Sequence, residues 1–146
     1  GGVEKNLFLI SNYLSKYFEN IALITLSKKY QKKFDPRIKL ITLKSSFWDK
    51  IGRRKKFMIC IFLLIKEIIL NKSLVLSFQA NIYSALICKI FSTKIIIRSN
   101  SSPEGWSKKN IKKYFYKVIL NLADATIVNS KKFKEQLKKK YIIHLM

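Results

Sequence analysis

This sequence is short of acidic residues, glycine, proline, histidine and cysteine. Its 146 residues hold 8 Asp and Glu, 4 Gly, 2 Pro, 2 Cys and 1 His. So few glycines and prolines exclude a collagen-like chain or a linker. A single histidine and two cysteines in apolar runs exclude a disulfide framework and a usual metal-ligand cluster. We expect Cys60 and Cys88 to be reduced core thiols, and we expect no metal and no cofactor.

A membrane-spanning run is also missing. The most apolar stretch, 57–70, is interrupted by Lys66 and Glu67, so it is too short and too charged to cross a bilayer. No signal peptide is visible. Because 49% of the residues are apolar, a folded core is expected and wholesale disorder is excluded. The length suits one domain, which we place over residues 1–146.

The charge of the chain is far from neutral. It has 30 Lys and Arg against 8 Asp and Glu, a net charge of +22. Three explanations of such a charge stay open. They are attraction to an anionic membrane surface, attraction to nucleic acid, and a compositional bias of the whole sequence toward Lys, Ile, Asn and Phe. Two basic stretches next to apolar or aromatic residues, 50–57 and 108–116, are candidates for a membrane surface, with solvated helix faces as the alternative.

Helical and strand-like patterns alternate along the chain. Spacing predicts helices over 4–17, 49–70, 81–91, 108–122 and from Phe133 through Leu137 to Tyr141, and strands over 21–26, 38–43, 73–78, 93–98 and 123–128. Such alternation predicts an α/β, Rossmann-like parallel sheet with helices on both faces. We expect the strand 21–26 to be buried on both faces. We expect the helix 108–122 to turn Ile111, Phe115, Val118 and Leu122 inward.

The segments just after each predicted strand matter most, because ligands of such sheets bind outside the carboxyl ends of the strands. The opening Gly1-Gly2 pair stands directly before a helix, as a loop after a first strand would. Glycine tolerates a positive φ and close approach of a ligand, and a helix start favours phosphate groups. We therefore expect the chain to be a fragment that begins at a functional loop, with a first strand ahead of it.

Five segments share a pattern with one enzyme family. They are Gly-Gly-Val-Glu (1–4), Ala-Leu-Ile-Thr-Leu-Ser (22–27), Leu-Ser-Phe-Gln-Ala-Asn-Ile-Tyr-Ser-Ala-Leu (76–86), Ile-Ile-Ile-Arg-Ser-Asn-Ser-Ser-Pro (95–103), and Ala-Asp-Ala-Thr-Ile-Val-Asn-Ser (123–130) followed by Phe133. In this order they resemble the N-terminal domain of family 4 glycosyltransferases. The resemblance extends over essentially the whole chain, and the last segment is its most specific part.

The resemblance implies one half of a GT-B architecture, in which two Rossmann-like domains face each other across a cleft. The N-terminal domain shapes the acceptor site, and the C-terminal domain binds the nucleotide-sugar donor and carries a paired-glutamate motif that this sequence lacks. The implied partners are a nucleotide-sugar donor, bound through that second domain, and a glycan or lipid-linked acceptor. The implied location is the cytoplasm, at the inner face of the cell membrane. The isolated domain is expected to be inactive.

The candidate substrate-binding residues are Gly1, Gly2, Gln79, Asn81, Arg98, Asn100 and Ser101. The resemblance implies that the glycine amides approach the diphosphate or the sugar, and that the residues from Arg98 to Ser101 line the acceptor pocket. Asn100 stands where relatives can have histidine, and an amide is no general base, so its implied role is orientation. No catalytic residue is assigned.

Three of the remaining side-chain roles stay open at this point. Gln79 and Asn81 have amides to offer to sugar hydroxyls, but Asn81 is equally suited to capping a helix. Ser130 is a candidate phosphate contact at a helix start, and capping is its alternative role. The sequence contains no Asp-x-Asp motif, which agrees with sugar transfer without a metal at the diphosphate.

Two other classes of protein compete with a sugar transferase. A basic nucleic-acid-binding α/β module is the alternative function, but no known DNA- or RNA-binding motif occurs, so we expect no nucleic-acid partner. A dinucleotide-dependent enzyme needs a Gly-x-Gly-x-x-Gly run between a strand and a helix, and no such run is present.

Overall fold

A computed structural model describes residues 2–26, 31–43, 52–99 and 110–141. The helices are α1 (Gly2–Leu14), α2 (Arg53–Leu70), α3 (Asn81–Ile90), α4 (Asn110–Leu120) and α5 (Lys131–Tyr141). The strands are β1 (Ala22–Ile24), β2 (Lys39–Ile41), β3 (Val75–Ser77), β4 (Ile95–Ser99) and β5 (Ala125–Val128). Every helix and strand predicted from the spacing is present, with ends that shift by a few residues. The basic segment before β2 adds a short 3-10 helix, Gln31–Lys33.

The chain is an α/β protein with two parallel sheets flanked by helices, so the predicted fold class is confirmed. β1 pairs with β2 in one sheet, and β3, β4 and β5 follow one another in the other. The chain divides into two compact units, Gly1–Glu67 and Ile68–Met146, and each unit contains one sheet.

In the first unit, α1 holds the segment before β2 through one side chain. Asn12 Nδ2 donates to the Lys33 carbonyl at 3.0 Å, and the Asp35 N–H donates to Asn12 Oδ1 at 3.0 Å. The rings of Phe8 and Phe34 meet edge to face, with their centroids 5.8 Å apart. An asparagine that pairs both its amide groups with backbone thus fixes a loop that has little regular structure of its own.

The prediction that β1 is buried on both faces is wrong. Leu23 is buried, Ile24 is partly covered, and Ala22 is exposed. Successive strand residues point to opposite faces, and this sheet of two strands is closely covered only on the side of Leu23. On β2, Lys39 Nζ lies 3.5 Å from Glu67 Oε1, which links this strand to α2.

The core of the second unit forms around β4, as the run of three isoleucines predicts. Ile95 and Ile97 are buried on β4, and the helices contribute Ala85, Cys88, Leu120 and Leu137. On α4, the expectation for the inward face is wrong, because Ile111, Phe115 and Val118 are exposed while Ile119 and Leu120 are buried. Both sides of this helix are apolar, so the spacing does not determine which side the sheet covers.

Among the residues that the structure describes, every helix is too short or too polar to reach across a lipid bilayer. The helix α2 has the most suitable length, at 18 residues, but it begins with four consecutive basic residues and carries Lys66 and Glu67 further along.

Candidate functional site

Polar residues collect at the carboxyl edge of the three-stranded sheet. Since β3, β4 and β5 are all parallel, their carboxyl ends lie at the same edge. Six of the residues there are Ser77, Gln79, Asn81, Arg98, Asn129 and Ser130. We call this group the polar edge.

Asn81 ties the end of β3 to the end of β4. Its Nδ2 donates to the Arg98 carbonyl at 2.9 Å, and Ser77 Oγ lies 2.9 Å from Asn81 Oδ1. The same hydroxyl lies 2.9 Å from the Gln79 carbonyl, so its single proton serves one of the two acceptors at a time. The residue that caps α3 is Ala80, in a left-handed conformation with φ 55°, and no side chain caps the helix there. The capping alternative for Asn81 is therefore wrong.

Arg98 ties the end of β4 to the segment after β5. Its Nη2 donates to Asn129 Oδ1 at 2.7 Å, and its Cζ lies 5.7 Å from the centroid of the Phe78 ring. Only 9% of Arg98 is exposed. In this largely buried position an amide oxygen and the face of an aromatic ring both contact the guanidinium, and both favour a cation.

Ser130 caps α5. The helix begins at Lys131, and the Phe133 N–H donates to Ser130 Oγ at 3.2 Å. This is the usual bond of a serine that stands just before a helix. The capping alternative for Ser130 is confirmed, while a contact with phosphate stays a prediction.

The sheet brings part of the predicted site together. Gln79, Asn81, Arg98 and Ser130 all belong to the polar edge. Gly1, Asn100 and Ser101 lie outside the described residues. Gly2 lies in the first unit as the first residue of α1. Gly2 does not use the positive φ that glycine tolerates, since neither described glycine has one, and open space surrounds the position of a Cβ on Gly2.

The sequence did not indicate two residues that contact Arg98 at the polar edge. Asn129 and Phe78 hold the Arg98 guanidinium, yet neither was a candidate binding residue. Both directly follow strands whose ends were expected at this edge, and that position is the signal that could have found them. What the sequence does not contain is the pairing itself, since Arg98 and Asn129 are 31 positions apart.

The chemistry of the polar edge is that of hydrogen bonding and charge. Amide, hydroxyl and guanidinium groups suit sugar hydroxyls and anionic groups. Among the described residues of this edge none is a carboxylate or a histidine, so they contain no usual general base. No group of three or more His, Cys, Asp or Glu able to hold a metal occurs in the described part of the chain.

The opposite edge of this sheet holds a buried thiol beside a carboxylate. A cavity of about 250 Å³ is lined there by residues that include Cys88, Lys94 and Asp124. Asp124 Oδ2 accepts a hydrogen bond from the Ile95 N–H at 2.7 Å, and so holds the start of β4. Burial, assisted by the nearby Asp124 charge, raises the pKa of the Cys88 thiol to about 11. Such a thiol stays protonated near neutral pH and is a core residue, as expected.

No protein-family model matches this chain, and no curated protein matches it. A function for it therefore has to follow from the polar edge and from the sequence pattern that surrounds it.

Proposed function

We propose that this chain is the acceptor-side domain of a glycosyltransferase. In the complete enzyme it holds the hydroxyl-bearing acceptor, a glycan or a lipid-linked sugar, while a second domain holds the nucleotide-sugar donor. The chemistry consists of placing the two substrates together and stabilising the leaving diphosphate, with no metal of its own. The domain acts by positioning and contributes no proton-transfer group from its polar edge.

The observation that carries this proposal is the series of hydrogen bonds that links Asn81 to Arg98 and Arg98 to Asn129. It joins the ends of three parallel strands at the edge where α/β sheets bind ligands. Because these groups hold one another, they give the edge a fixed shape before any ligand arrives. Gln79 belongs to the same edge, and its side chain is exposed, so its amide is available to bind a hydroxyl of the acceptor.

The strand pairings also support the proposal. A doubly wound sheet has its strands in the order 3-2-1-4-5-6. That order contains a neighbouring pair of strands, the second and third, and a run of three, the fourth to the sixth. The same grouping, a parallel pair (β1 and β2) and a parallel run of three (β3, β4 and β5), is observed here.

Binding of simple sugars tests the proposal. Saturation-transfer NMR with p-nitrophenyl glycosides of glucose, galactose, mannose and N-acetylglucosamine should detect weak binding of at least one of them. The Gln79→Ala variant should bind about threefold more weakly or worse, because one hydrogen bond to a hydroxyl is lost. Gln136→Ala, which removes the same amide from α5, is the matched control and should bind as the parent does.

Two results would count against sugar binding at this edge. One is a folded chain that binds none of the glycosides, and the other is equal binding by the parent and the Gln79→Ala variant. A decamer of thymidine serves as the probe for the alternative function. Strong, salt-sensitive binding of that decamer without any glycoside binding would favour a nucleic-acid-binding module.

A further inference from the structure

The helix α4 exposes a second apolar face in addition to the one it buries. Ile119 and Leu120 are buried at 4% and 2%, whereas Ile111, Tyr114, Phe115 and Val118 are exposed at 86%, 71%, 54% and 44%. At 3.6 residues per turn, these four exposed residues lie within about 100° of the helix circumference. They form one continuous stripe that points away from the core, and they are not single residues scattered over the surface.

Lysines flank this stripe on both sides. On the helix circumference, Lys112 lies about 60° beyond Phe115 and Lys117 lies about 60° beyond Tyr114 on the other side. Neither α3 nor α4 contains an acidic residue, and residues 81–120 hold eight Lys and Arg against a single acidic residue, Glu104. An apolar stripe bordered by long cationic side chains is the pattern of a helix that lies in a membrane interface.

The neighbouring helix α3 extends the apolar surface. Tyr83 and Leu86 are exposed on it, and with Phe115 and Tyr116 of α4 they line a groove of about 360 Å³. Lys112 lies at the rim of this groove. Exposed apolar residues of both helices thus form one surface, which we call the α3–α4 face and define by Tyr83, Leu86, Ile111, Tyr114, Phe115 and Val118.

We propose that the α3–α4 face docks this protein on a bilayer that contains anionic lipids. Its apolar and aromatic side chains enter the headgroup region, and the flanking lysines attract the anionic headgroups. This inference goes beyond the proposed function, because it does not depend on sugar transfer. The charge of the face is complementary to an anionic surface, and its tyrosines suit the boundary between headgroups and acyl chains.

The form of the face favours a bilayer over a nucleic acid. Phosphates would need the lysines at the centre of the contact, with flat rings for the bases to stack on. Here aliphatic Ile111 and Val118 belong to the centre, and the lysines lie at the borders. Ile111 is also the most exposed of the large apolar residues that the structure describes, so it protrudes and suits a soft, deformable partner.

Vesicle sedimentation with the whole 146-residue chain tests the docking surface. The probes are vesicles of phosphatidylcholine alone and vesicles with one third phosphatidylglycerol, at low and at physiological salt. The parent should bind the anionic vesicles at both salt concentrations. The double variant Ile111→Ser with Phe115→Ser should bind them about tenfold more weakly, because two inserted apolar side chains are lost.

A matched variant separates docking from general stickiness. Leu9→Ser with Phe18→Ser removes another exposed aliphatic and aromatic pair, from the first unit, and should leave vesicle binding unchanged. All four positions are exposed, so circular dichroism should show the same folded chain in both variants. If the Ile111 and Phe115 variant binds vesicles as well as the Leu9 and Phe18 variant does, the docking surface is disproved.

A charge pair completes the test. Lys112→Gln with Lys117→Gln should weaken binding to anionic vesicles about 25-fold, since each lysine near the surface contributes about fivefold. Lys131→Gln with Lys132→Gln lowers the net charge equally from α5 and should have a much smaller effect. Equal losses from both pairs would mean that the overall charge alone drives binding and would overturn the proposal. The proposal would also be overturned if all of these variants bound vesicles as the parent does but no longer bound the thymidine decamer.

Discussion

The guanidinium of Arg98 donates from Nη2 to Asn129 Oδ1 at 2.7 Å, across the gap between β4 and the residue after β5. The Arg98 carbonyl accepts from Asn81 Nδ2 on the other side. Arg98 therefore connects the segment after β3 and the segment after β5 to the end of β4. A buried cation that loses an acceptor keeps its desolvation cost, and this makes the arrangement sensitive to single changes.

Removing the acceptor should destabilise the chain. Asn129→Ala leaves the Arg98 guanidinium without this partner and should lower the free energy of unfolding by about 1–3 kcal/mol. Urea denaturation followed by circular dichroism measures the change. Asn20→Ala, at an exposed asparagine after α1, is the control and should change stability by less than about 0.5 kcal/mol. Equal stabilities for the two variants would contradict the structural role of Asn129.

The bond from Asn81 can be tested with an isosteric change. Asn81→Asp keeps the oxygen that accepts from Ser77 but places a carboxylate oxygen against the Arg98 carbonyl. We expect a loss of about 1–3 kcal/mol in the free energy of unfolding, because a donor is replaced by an acceptor. The same change at exposed Asn20 should have little effect. A stable Asn81→Asp variant would show that the amide does not bridge β3 and β4.

The cap on α5 distinguishes a structural from a binding role of Ser130. Ser130→Ala should lower the free energy of unfolding by about 0.5–2 kcal/mol, whereas Ser130→Asp should retain most of the stability because aspartate also caps helices. Thermal melts measure both. If Ser130 also contacts phosphate, then Ser130→Asp should abolish binding of inorganic phosphate in an NMR titration, and an unchanged titration leaves capping as its role.

The buried thiol gives a kinetic test of the second unit. Because burial raises the pKa of Cys88 to about 11, Ellman's reagent should label it far more slowly than an exposed thiol at pH 8. The Cys60→Ser variant isolates Cys88 for this measurement. Labelling should become fast in guanidinium chloride. Since the folded state holds the thiol proton more tightly, stability should fall as the pH rises from about 9 toward 11. Fast labelling of the native chain would contradict the burial of Cys88.

The first unit has its own pH dependence. Arg37 donates to Asp35 Oδ1 and Oδ2 at 3.0 and 2.9 Å, and these bonds hold the pKa of Asp35 well below its ordinary 3.8. A depressed carboxyl pKa stabilises the fold above pH 4 and loses that contribution as the pH falls. Asp35→Asn should therefore melt at a lower temperature than the parent at pH 6. The difference between the two melting temperatures should become smaller as the pH falls toward 2. Arg37→Gln should show the same pH dependence. A difference in melting temperature between parent and variant that stays constant from pH 6 to pH 2 would contradict this role of the pair.

Local spacing accounts for the parts of the fold that were predicted. The alternation of apolar strands with amphipathic helices gives the α/β class and the parallel pairing, because strands joined by helices of ten residues or more run in the same direction. The same reasoning gathers Gln79, Asn81, Arg98 and Ser130 at one edge of a sheet. These features depend on residues near one another along the chain, or on rules that hold for every such sheet.

What the sequence determined by itself, then, is the kind of sheet and the edge at which its polar residues meet. Only the tertiary structure decided that α4 buries Ile119 and Leu120 while it exposes Ile111 and Phe115, because both of its faces are apolar and the covering element lies elsewhere in the chain. It also decided that Asn81 bridges two strands, and that Asn129 holds Arg98 from 31 positions away. Periodicity describes the angle between side chains of one helix or strand, but it carries no information about which neighbour each side chain meets.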